Sequence, residues 1–447
     1  MEIHKIKTDG LAHLSYLLTS NGEAAVIDPR RDVDIYLNMA RAAGCEITHI
    51  FETHRNEDLI SGAGILADIT GADVWHGPNP AAPVQYAKTT TEGDRYDIGD
   101  ATIAVLETPG HTDDSLSFVL YDRNWNEGAV GVFTGDALFV GDVGRTDFYP
   151  DRRREVAGLL FDSLQKLLSL GDHVLLYPAH GAGSVCGSGM ADREFSTLGH
   201  ERQNNARLQL DRDAFIEAKL AEHHEQPPYF RLMERLNLEG ATPVRRYALP
   251  AVALSEGGGD ASKVQLVDVR GIADFAGAHI PNTLAIPDDM LAAFAGWLLD
   301  PEAPIELIAR DAAQAERSVK TLERIGFDGV ARFRTGIVPV ATAGKSFASL
   351  PFVDTETVAA RRGDADWCLL DVRDAAEFGS GHIEGAKNIY VGHLPNMLDA
   401  LPREKQITVM CGSGARATIA ASVLLKAGFE KVDVYLGSWK AWTATQN

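Results

Sequence analysis

The stretch ITHIFETHRNEDLISG (47–62) opens with an apolar, strand-like segment that runs directly into His54. Three other apolar segments end in the same way: ATIAVLETPG ends at His111, AVGVFTG ends at Asp136 and HVLLYPA ends at His180. Loops at the carboxyl ends of strands usually carry the chemistry of an α/β fold. Four ligand-type side chains after four strands therefore predict a metal site.

The sequence around these strands predicts one layered α/β domain over residues 1–245. Its amino-terminal segment has the pattern of a strand, a turn and a second strand. Helical patterns occupy residues 32–44, with a stop at the terminal glycine, and residues 152–170. A long polar pattern over 193–223 predicts one further helix.

An internal repeat follows this domain. LVDVRGIADFAGAHIPNTLAIP begins at Leu266 and LLDVRDAAEFGSGHIEGAKNIY begins at Leu369. Each copy continues with a strand, a loop and a helix that ends at Gly-Phe, so the repeat predicts two duplicated domains and not a solenoid. The predicted boundaries are linkers near 255–260 and 344–351 and domains at 262–345 and 352–447.

The composition is that of a globular protein with an acidic surface. Its 447 residues are too many for one core and suggest about three domains. The formal net charge of -21 opposes binding to nucleic acid or an anionic membrane, and no apolar run is long enough to span a bilayer. We see no secretory signal, and four widely spaced cysteines form no disulfide framework, so we expect a cytoplasmic protein.

The strand-end motifs resemble those of the metallo-β-lactamase superfamily. THRNEDLISG (53–62) stands where that superfamily has Thr-His-x-His-x-Asp-His. TPGHTDDS (108–115), FTGDALF (133–139) and YPAHG (177–181) are similar to its later ligand motifs. The resemblance implies that the amino-terminal domain is an αββα sandwich.

Two substitutions distinguish this chain from the binuclear zinc hydrolases of that superfamily. Asn56 replaces the second histidine of the first motif and Leu59 replaces the last, so each of the two metal positions has lost a ligand. A binuclear hydrolase needs both positions to activate a bridging water. The remaining His54, His111 and Asp136 form a set of two imidazoles and one carboxylate, which is typical of non-haem Fe(II) oxygenases.

The same three positions resemble the iron ligands of the persulfide dioxygenases, also called sulfur dioxygenases. This resemblance implies one Fe(II) per chain and the oxidation of a low-molecular-weight persulfide, of glutathione or a similar thiol, by O2 to sulfite and thiol. Two alternatives stay open. One is a zinc-dependent hydrolase of the glyoxalase II type, and the other is a sulfur-carrier or binding protein with a decayed metal site.

Further residues near the motifs have candidate roles. Asp58 and His180 survive from the second metal position, and we expect them to orient ligands or water. The GRTDF motif resembles one in persulfide dioxygenases, where Arg145 either holds the carboxylate of the thiol carrier or keeps the metal loop in shape. Tyr177 either donates its hydroxyl into the pocket or packs. Cys186, in a Gly/Ser-rich loop, either receives sulfur near the iron or is inert.

The segment MCGSGAR (410–416) follows a strand and opens a helix. Cys411 lies in a small-residue loop near a helix N-terminus, which stabilises a thiolate, and Arg416 adds a cation. With the preceding DVR and GHI segments, the pattern resembles the rhodanese family. The resemblance implies that Cys411 and Arg416 are catalytic and that the cysteine passes sulfane sulfur, for example to sulfite to give thiosulfate.

The first copy of the repeat lacks this chemistry. Ala309 stands opposite Cys411, and Gln314 stands opposite Arg416, so the copy has no nucleophile. We expect this rhodanese-like copy to be a spacer, a docking surface or an oligomer contact, and we expect the chain to form a homo-oligomer. The predicted partners are therefore a small thiol persulfide, O2 and sulfite.

Overall fold

A computed structural model describes residues 1–79, 82–125, 128–184, 189–193, 195–244, 250–251 and 264–445. The chain divides into two compact units, Met1–Arg245 with Arg324–Gly326, and Arg246–Glu323 with Phe327–Asn447. The predicted linker at 255–260 and Cys186 lie outside the described residues. Within the described residues, no helix has the length and apolar character needed to cross a bilayer.

The first unit contains two mixed sheets. The first sheet has, in spatial order, β1 (Glu2–Thr8), β2 (His13–Ser20), β3 (Glu23–Ile27), β4 (Glu46–Phe51), β5 (Asp73–His76) and β6 (Lys88–Thr89). The second sheet has β7 (Arg95–Ile98), β8 (Ala101–Glu107), β9 (Leu116–Asp122), β10 (Gly131–Gly135) and β11 (Leu175–Pro178). Strands β3 to β6 pair in parallel, as do β10 and β11, and the other neighbours are antiparallel.

Helices cover the outer faces of both sheets. They are α1 (Asp34–Ala42), α2 (Ala63–Thr70), α3 (Arg153–Leu168), α4 (Leu198–Asn204), α5 (Arg212–Leu220) and α6 (Phe230–Glu239). Neighbouring strand residues belong to different apolar clusters because side chains alternate across a sheet. In β2, Leu17 packs with α1 and α2, whereas Leu18 packs between the sheets. In β10, Val132 packs with α3, whereas Phe133 packs between the sheets, which confirms the αββα arrangement.

The prediction of one long helix over 193–223 was wrong. Helix α4 ends at Asn204 and a 3-10 turn, Ala206–Gln209, separates it from α5. The side chain of Asn205 accepts a hydrogen bond from the Arg207 N–H, and that of Asp211 accepts one from the Ala214 N–H. These local bonds to the main chain compete with helix continuation, which explains the break.

The second unit contains two parallel sheets with the same strand order. The four-stranded sheet is formed by β12 (Gln265–Asp268), β13 (Leu284–Ala285), β14 (Ile305–Ala309) and β15 (Val330–Thr335), in the order β13-β12-β14-β15. Its helices are α7 (Ile272–Gly277), α8 (Leu291–Leu298), α9 (Ala312–Arg324) and α10 (Val338–Thr342).

The second sheet of this unit has one additional edge strand. Its strands are β16 (Phe352–Val353), β17 (Trp367–Asp371), β18 (Lys387–Asn388), β19 (Gln406–Met410) and β20 (Val432–Tyr435), in the order β16-β20-β19-β17-β18. Its helices are α11 (Thr355–Arg361), α12 (Ala375–Ser380), α13 (Ala415–Lys426) and α14 (Ser438–Ala444). The order β18-β17-β19-β20 reproduces the strand order of the first copy.

Residues shared by the two copies make the same contacts. Asp268 pairs with Arg270 at 2.6 Å, and Asp371 pairs with Arg373 at 2.6 Å. Each arginine also donates to a carbonyl oxygen eight residues further along, at 2.8 Å in both copies. The repeated Asp-x-Arg sequence is therefore a structural feature of the loop after the strand in each copy.

Candidate metal centre and cysteine loop

Three of the predicted ligands meet inside the first unit. His54 lies after β4, His111 after β8 and Asp136 directly after β10, and each is at most 2% exposed. One ligand atom from each residue lies within 4.8 Å of the other two. Asp136 Oδ2 is 3.5 Å from His111 Nε2 and 3.9 Å from His54 Nε2.

The free atoms of these residues are suited to a cation. His54 Nε2, His111 Nε2 and Asp136 Oδ2 are buried and have no hydrogen-bond partner among the described residues. A buried polar atom without a partner costs about 1–3 kcal/mol, and three such atoms at one point are explained by metal coordination. The donor set therefore fits a divalent metal ion.

Hydrogen bonds fix both imidazoles with Nε2 toward this point. The Thr53 hydroxyl donates to Asp28 at 2.9 Å, so it can accept from His54 Nδ1, 2.9 Å away. His111 Nδ1 donates to the carbonyl oxygen of Arg145 at 3.0 Å. With the proton on Nδ1 in both rings, Nε2 presents its lone pair, which is how a supporting hydrogen bond orients a metal ligand.

The environment keeps the Asp136 carboxylate charged. Burial by itself raises the pKa of a carboxyl group, but the imidazoles of His180, His54 and His111 outweigh burial and hold the pKa of Asp136 well below its usual range. Burial lowers the pKa of His54. Burial would also lower the pKa of His111, but the neighbouring carboxylates of Glu57 and Asp136 raise it above its usual value. Asp136 is thus held as the carboxylate, the form that binds metal.

At the second metal position of the superfamily pattern, His180 lies between two carboxylates and is hydrogen-bonded to one of them. His180 Nδ1 donates to Asp136 Oδ1 at 2.7 Å, and His180 Nε2 lies 3.2 Å from Asp58 Oδ2. Asn56 and Leu59 are both buried. His180 holds Asp136 Oδ1 in place, so Oδ2 stays directed at the other two imidazoles. The predicted role of Asp58 and His180 in orienting a ligand or water stays a prediction.

The Arg145 side chain is buried and is paired with another side chain of the first unit. Its guanidinium is 1% exposed and makes two bonds to the Asp147 carboxylate, at 2.6 and 2.7 Å. Its main-chain carbonyl holds His111. Of the two roles that the sequence left open, these contacts favour shaping the metal loop.

Two other predicted site residues remain, Tyr177 and Cys186. The Tyr177 ring stacks on Phe133 at 5.1 Å and meets Tyr16 edge-on at 5.5 Å, so its contacts are those of packing. Gly131 leaves room for this ring, because an added Cβ would lie 2.6 Å from it. Cys186 is outside the described residues, and its role in sulfur relay stays a prediction.

The sequence analysis missed a second carboxylate in the metal site. Glu57 is 5% exposed, with Oε1 3.3 Å from His111 Nε2 and Oε2 3.8 Å from His54 Nε2. Burial raises the pKa of this carboxyl, but His111 and His54 hold it at about 2. Glu57 stands at a position that the superfamily motif leaves open, and a glutamate beside two altered ligand positions was the available clue.

A residue from α6 holds the loop that carries this carboxylate. Asn237, 2% exposed, donates through Nδ2 to the carbonyl oxygens of Asn56 at 2.7 Å and Leu59 at 2.8 Å. Its Oδ1 accepts from the Ser61 N–H at 2.8 Å. These bonds fix the main chain on both sides of residues 57 and 58.

The cysteine loop lies in the second unit, between β19 and α13. Cys411 is 1% exposed, and the Gly414 N–H donates to its sulfur at 3.1 Å. Gly414 has a φ of 116°, which favours glycine and turns its N–H toward the sulfur. The position before a helix N-terminus supports a sulfur anion, as predicted for a nucleophile.

Arg416 is anchored beside this loop. Its guanidinium makes two bonds to the Glu377 carboxylate of α12, at 2.6 and 2.7 Å. Burial raises the pKa of Glu377, but the bonds to Arg416 and Asp374 bring it to about 2. The sequence did not reveal Glu377, which compensates part of the positive charge expected beside Cys411.

The first copy has a closed loop at the equivalent place. Only Arg310 and Asp311 separate β14 from α9, whereas four residues separate β19 from α13. Gln314 is buried, accepts from the Arg310 N–H at 2.8 Å and donates to the Val269 carbonyl at 3.0 Å. In the first copy, the Gln314 side chain therefore occupies the region that corresponds to the Cys411 loop of the second copy.

The fold and these two sites define a class: an αββα domain with a candidate metal site, in a chain that also contains a parallel α/β domain with a buried cysteine before a helix. Comparisons with known proteins agree. Residues 8–180 match the metallo-β-lactamase superfamily and residues 354–445 match the rhodanese-like domain. The chain belongs to the metallo-β-lactamase superfamily and carries a rhodanese domain at its carboxyl end.

Individual relatives come from two groups. A hydroxyacylglutathione hydrolase of Rhodospirillum rubrum is 33% identical over 183 residues, which cover 40% of this chain and 66% of that protein. The mitochondrial persulfide dioxygenase of Mus musculus is 30% identical over 210 residues, which cover 45% of this chain and 74% of that protein. A metallo-β-lactamase structure from Staphylococcus aureus matches with a TM-score of 0.68 and 29% identity, covering 75% of this chain and 98% of that one.

We expect Gly144→Ala to disrupt the metal centre. An added Cβ would lie 2.0 Å from the Asp136 carbonyl oxygen and 3.3 Å from His111 Cβ, so both ligand loops must move. The expected results are a loss of bound metal, measured by plasma mass spectrometry, and a free energy of unfolding lower by about 1–3 kcal/mol. Gly277→Ala is the control, since its Cβ would meet nothing within 4 Å. Normal metal content in Gly144→Ala would contradict this reading of the site.

Proposed function

We propose that the first unit is an Fe(II)-dependent persulfide dioxygenase and that Cys411 carries out rhodanese-type sulfur transfer to form thiosulfate. The observation that carries the proposal is the single set of His54, His111 and Asp136 together with Asn56 and Leu59 at the former ligand positions. Similarity to persulfide dioxygenases from Mus musculus and Bos taurus supports it.

Two imidazoles and one carboxylate with open positions suit ferrous iron better than a binuclear zinc centre. His54, His111 and Asp136 would hold one Fe(II) per chain. When bound, the iron supplies the redox chemistry that allows O2 to react with sulfur. The cytoplasmic location, the homo-oligomer and glutathione as the thiol stay predictions.

The overall reaction is R–S–SH + O2 + H2O → R–SH + SO3²⁻ + 2 H⁺. The S–S bond breaks, the outer sulfur is oxidised, and O2 accepts the electrons. The inner sulfur leaves as the thiol after taking a proton.

The chain's own residues prepare the site for this reaction. The Arg145 carbonyl orients His111, and Thr53 with Asp28 orients His54. His180 holds Oδ1 of Asp136, which leaves Oδ2 as the oxygen that would hold the metal. The near-complete burial of the three ligands limits water around the reacting sulfur, which strengthens electrostatic interactions there.

The rhodanese domain would use the sulfite. The Cys411 thiolate attacks the outer sulfur of R–S–SH, forming an enzyme persulfide and releasing R–SH. Sulfite then attacks that outer sulfur, giving thiosulfate and restoring the thiolate. The Gly414 N–H, 3.1 Å from Cys411 Sγ, stabilises the thiolate in both steps.

A zinc-dependent thioester hydrolase is the second candidate, because hydroxyacylglutathione hydrolases are comparably similar to this chain. The loss of imidazoles at positions 56 and 59 argues against it, since a binuclear water-activating site requires those ligands. A sulfur carrier with a decayed metal site is a weaker alternative. The convergence of His54, His111 and Asp136 argues against decay.

Iron-loaded protein is expected to consume one O2 for each glutathione persulfide and to release sulfite, as measured with an oxygen electrode and by sulfite derivatisation. His111→Ala should reduce uptake to background because it removes a ligand. The exposed His173 provides a control, and His173→Ala should retain uptake. Hydrolysis of a glutathione thioester by zinc-loaded protein, with no O2 uptake by iron-loaded protein, would favour the hydrolase.

Sulfur transfer is expected to require Cys411. Cys411→Ser should abolish thiosulfate formation from persulfide and sulfite while O2 uptake continues, since the two sites lie in separate units. Adding Ala309→Cys to that variant should restore nothing, because position 309 lies in β14 and Gln314 closes the adjoining loop. Ion chromatography of thiosulfate provides the measurement, and recovery of activity in the double variant would disprove the closed-loop interpretation.

A further inference from the structure

We propose that Glu57 is a fourth protein ligand of the metal, replacing the imidazole lost at position 56. This inference rests on the proposed metal site and adds a carboxylate that the superfamily motif does not contain. The Glu57 carboxylate faces both free imidazole nitrogens, His111 Nε2 at 3.3 Å and His54 Nε2 at 3.8 Å.

The distances place the two carboxylates around the same pair of nitrogens. Asp136 Oδ2 lies 3.5 and 3.9 Å from His111 Nε2 and His54 Nε2, whereas Glu57 approaches the same nitrogens with a different oxygen each, Oε1 at 3.3 Å and Oε2 at 3.8 Å. His54, His111 and Asp136 form a group whose ligand atoms lie within 4.8 Å of one another, and on this proposal the Glu57 carboxylate moves onto a cation bound by that group.

Charge balance supports coordination over a simple ion pair. Two buried carboxylates need two positive charges nearby, because burying an uncompensated charge is costly. Both imidazoles have Nδ1 engaged by oxygen atoms of Thr53 and Arg145, which turns Nε2 of each ring toward the two carboxylates. One divalent cation satisfies two nitrogens and two carboxylates at once and leaves the buried cluster neutral.

The loop is built to direct Glu57 inward. Asn237 binds the carbonyls of Asn56 and Leu59, and the Tyr229 hydroxyl donates to the Asp58 carbonyl at 3.2 Å. With the main chain fixed, the Asp58 side chain meets His180 and the Glu57 side chain meets the other two imidazoles. Asp58 therefore contacts His180, whereas its neighbour Glu57 contacts the imidazoles of His54 and His111.

A fourth donor changes what the metal can bind. Four protein donors leave one fewer position open to water than three donors do. A second carboxylate also adds an anionic donor, and its attraction to the cation partly offsets the affinity lost with the imidazole. On this proposal, the substitutions at positions 56 and 59 replace a binuclear site with a mononuclear site that has a different set of ligands.

The test is metal affinity and the electronic spectrum of the site in Glu57→Gln and Glu57→Ala. Anaerobic competition with a chelator should show Fe(II) affinity reduced by about 10–100-fold or more. The electron paramagnetic resonance spectrum of the ferrous protein with nitric oxide should change its rhombicity. Glu52→Gln is the matched control, because Glu52 is equally buried, follows the same strand and binds Tyr86. Circular dichroism and thermal melting verify that all variants fold.

Failure of this inference is distinguishable from failure of the proposed function. If Glu57→Gln binds Fe(II) and Zn(II) within about twofold of the unsubstituted protein, with an unchanged nitric oxide spectrum, Glu57 is not a ligand. If both metals bind more weakly in Glu57→Gln but the iron-loaded unsubstituted protein consumes no O2, the ligand assignment stands and the dioxygenase proposal does not.

Discussion

The first unit depends on the burial of the Asp136 carboxylate between imidazoles. Its Oδ1 is fixed by His180, and its Oδ2 faces the free nitrogens of His54 and His111. Each ligand comes from a loop after a different strand, so the αββα packing must bring three separate loops to one point. The uncompensated polar atoms at that point would destabilise the fold without a cation, and metal binding therefore couples to folding.

The positions of His54, His111 and Asp136 could be predicted from the sequence because apolar strand patterns fix where each loop begins. Residues positioned by distant contacts could not be found in this way. The inward direction of Glu57 depends on Asn237, which lies 181 residues after Asn56. The break near Asn205 likewise depends on bonds of its side chain, one to the nearby Arg207 N–H and one to the distant Asp142 carbonyl, that a polar helical pattern does not reveal.

The repeat in the second unit separates scaffold from chemistry. Both copies keep the Asp-x-Arg pair and the same strand order. The two copies could be recognised from the sequence as a repeat. They differ where β14 and β19 meet the following helix: one loop is short and filled by Gln314, and the other presents Cys411 to a glycine N–H. The missing nucleophile was visible in the sequence, whereas the closure by Gln314 and the Glu377–Arg416 pair required the fold.

Anomalous X-ray diffraction at the iron and zinc edges, on crystals grown with Fe(II) and excess Zn(II), measures most directly how many cations the first unit holds. A single iron peak, within bonding distance of His54 Nε2, His111 Nε2 and Asp136 Oδ2, is the predicted result. A second metal peak between Asp58 and His180 would contradict the mononuclear site.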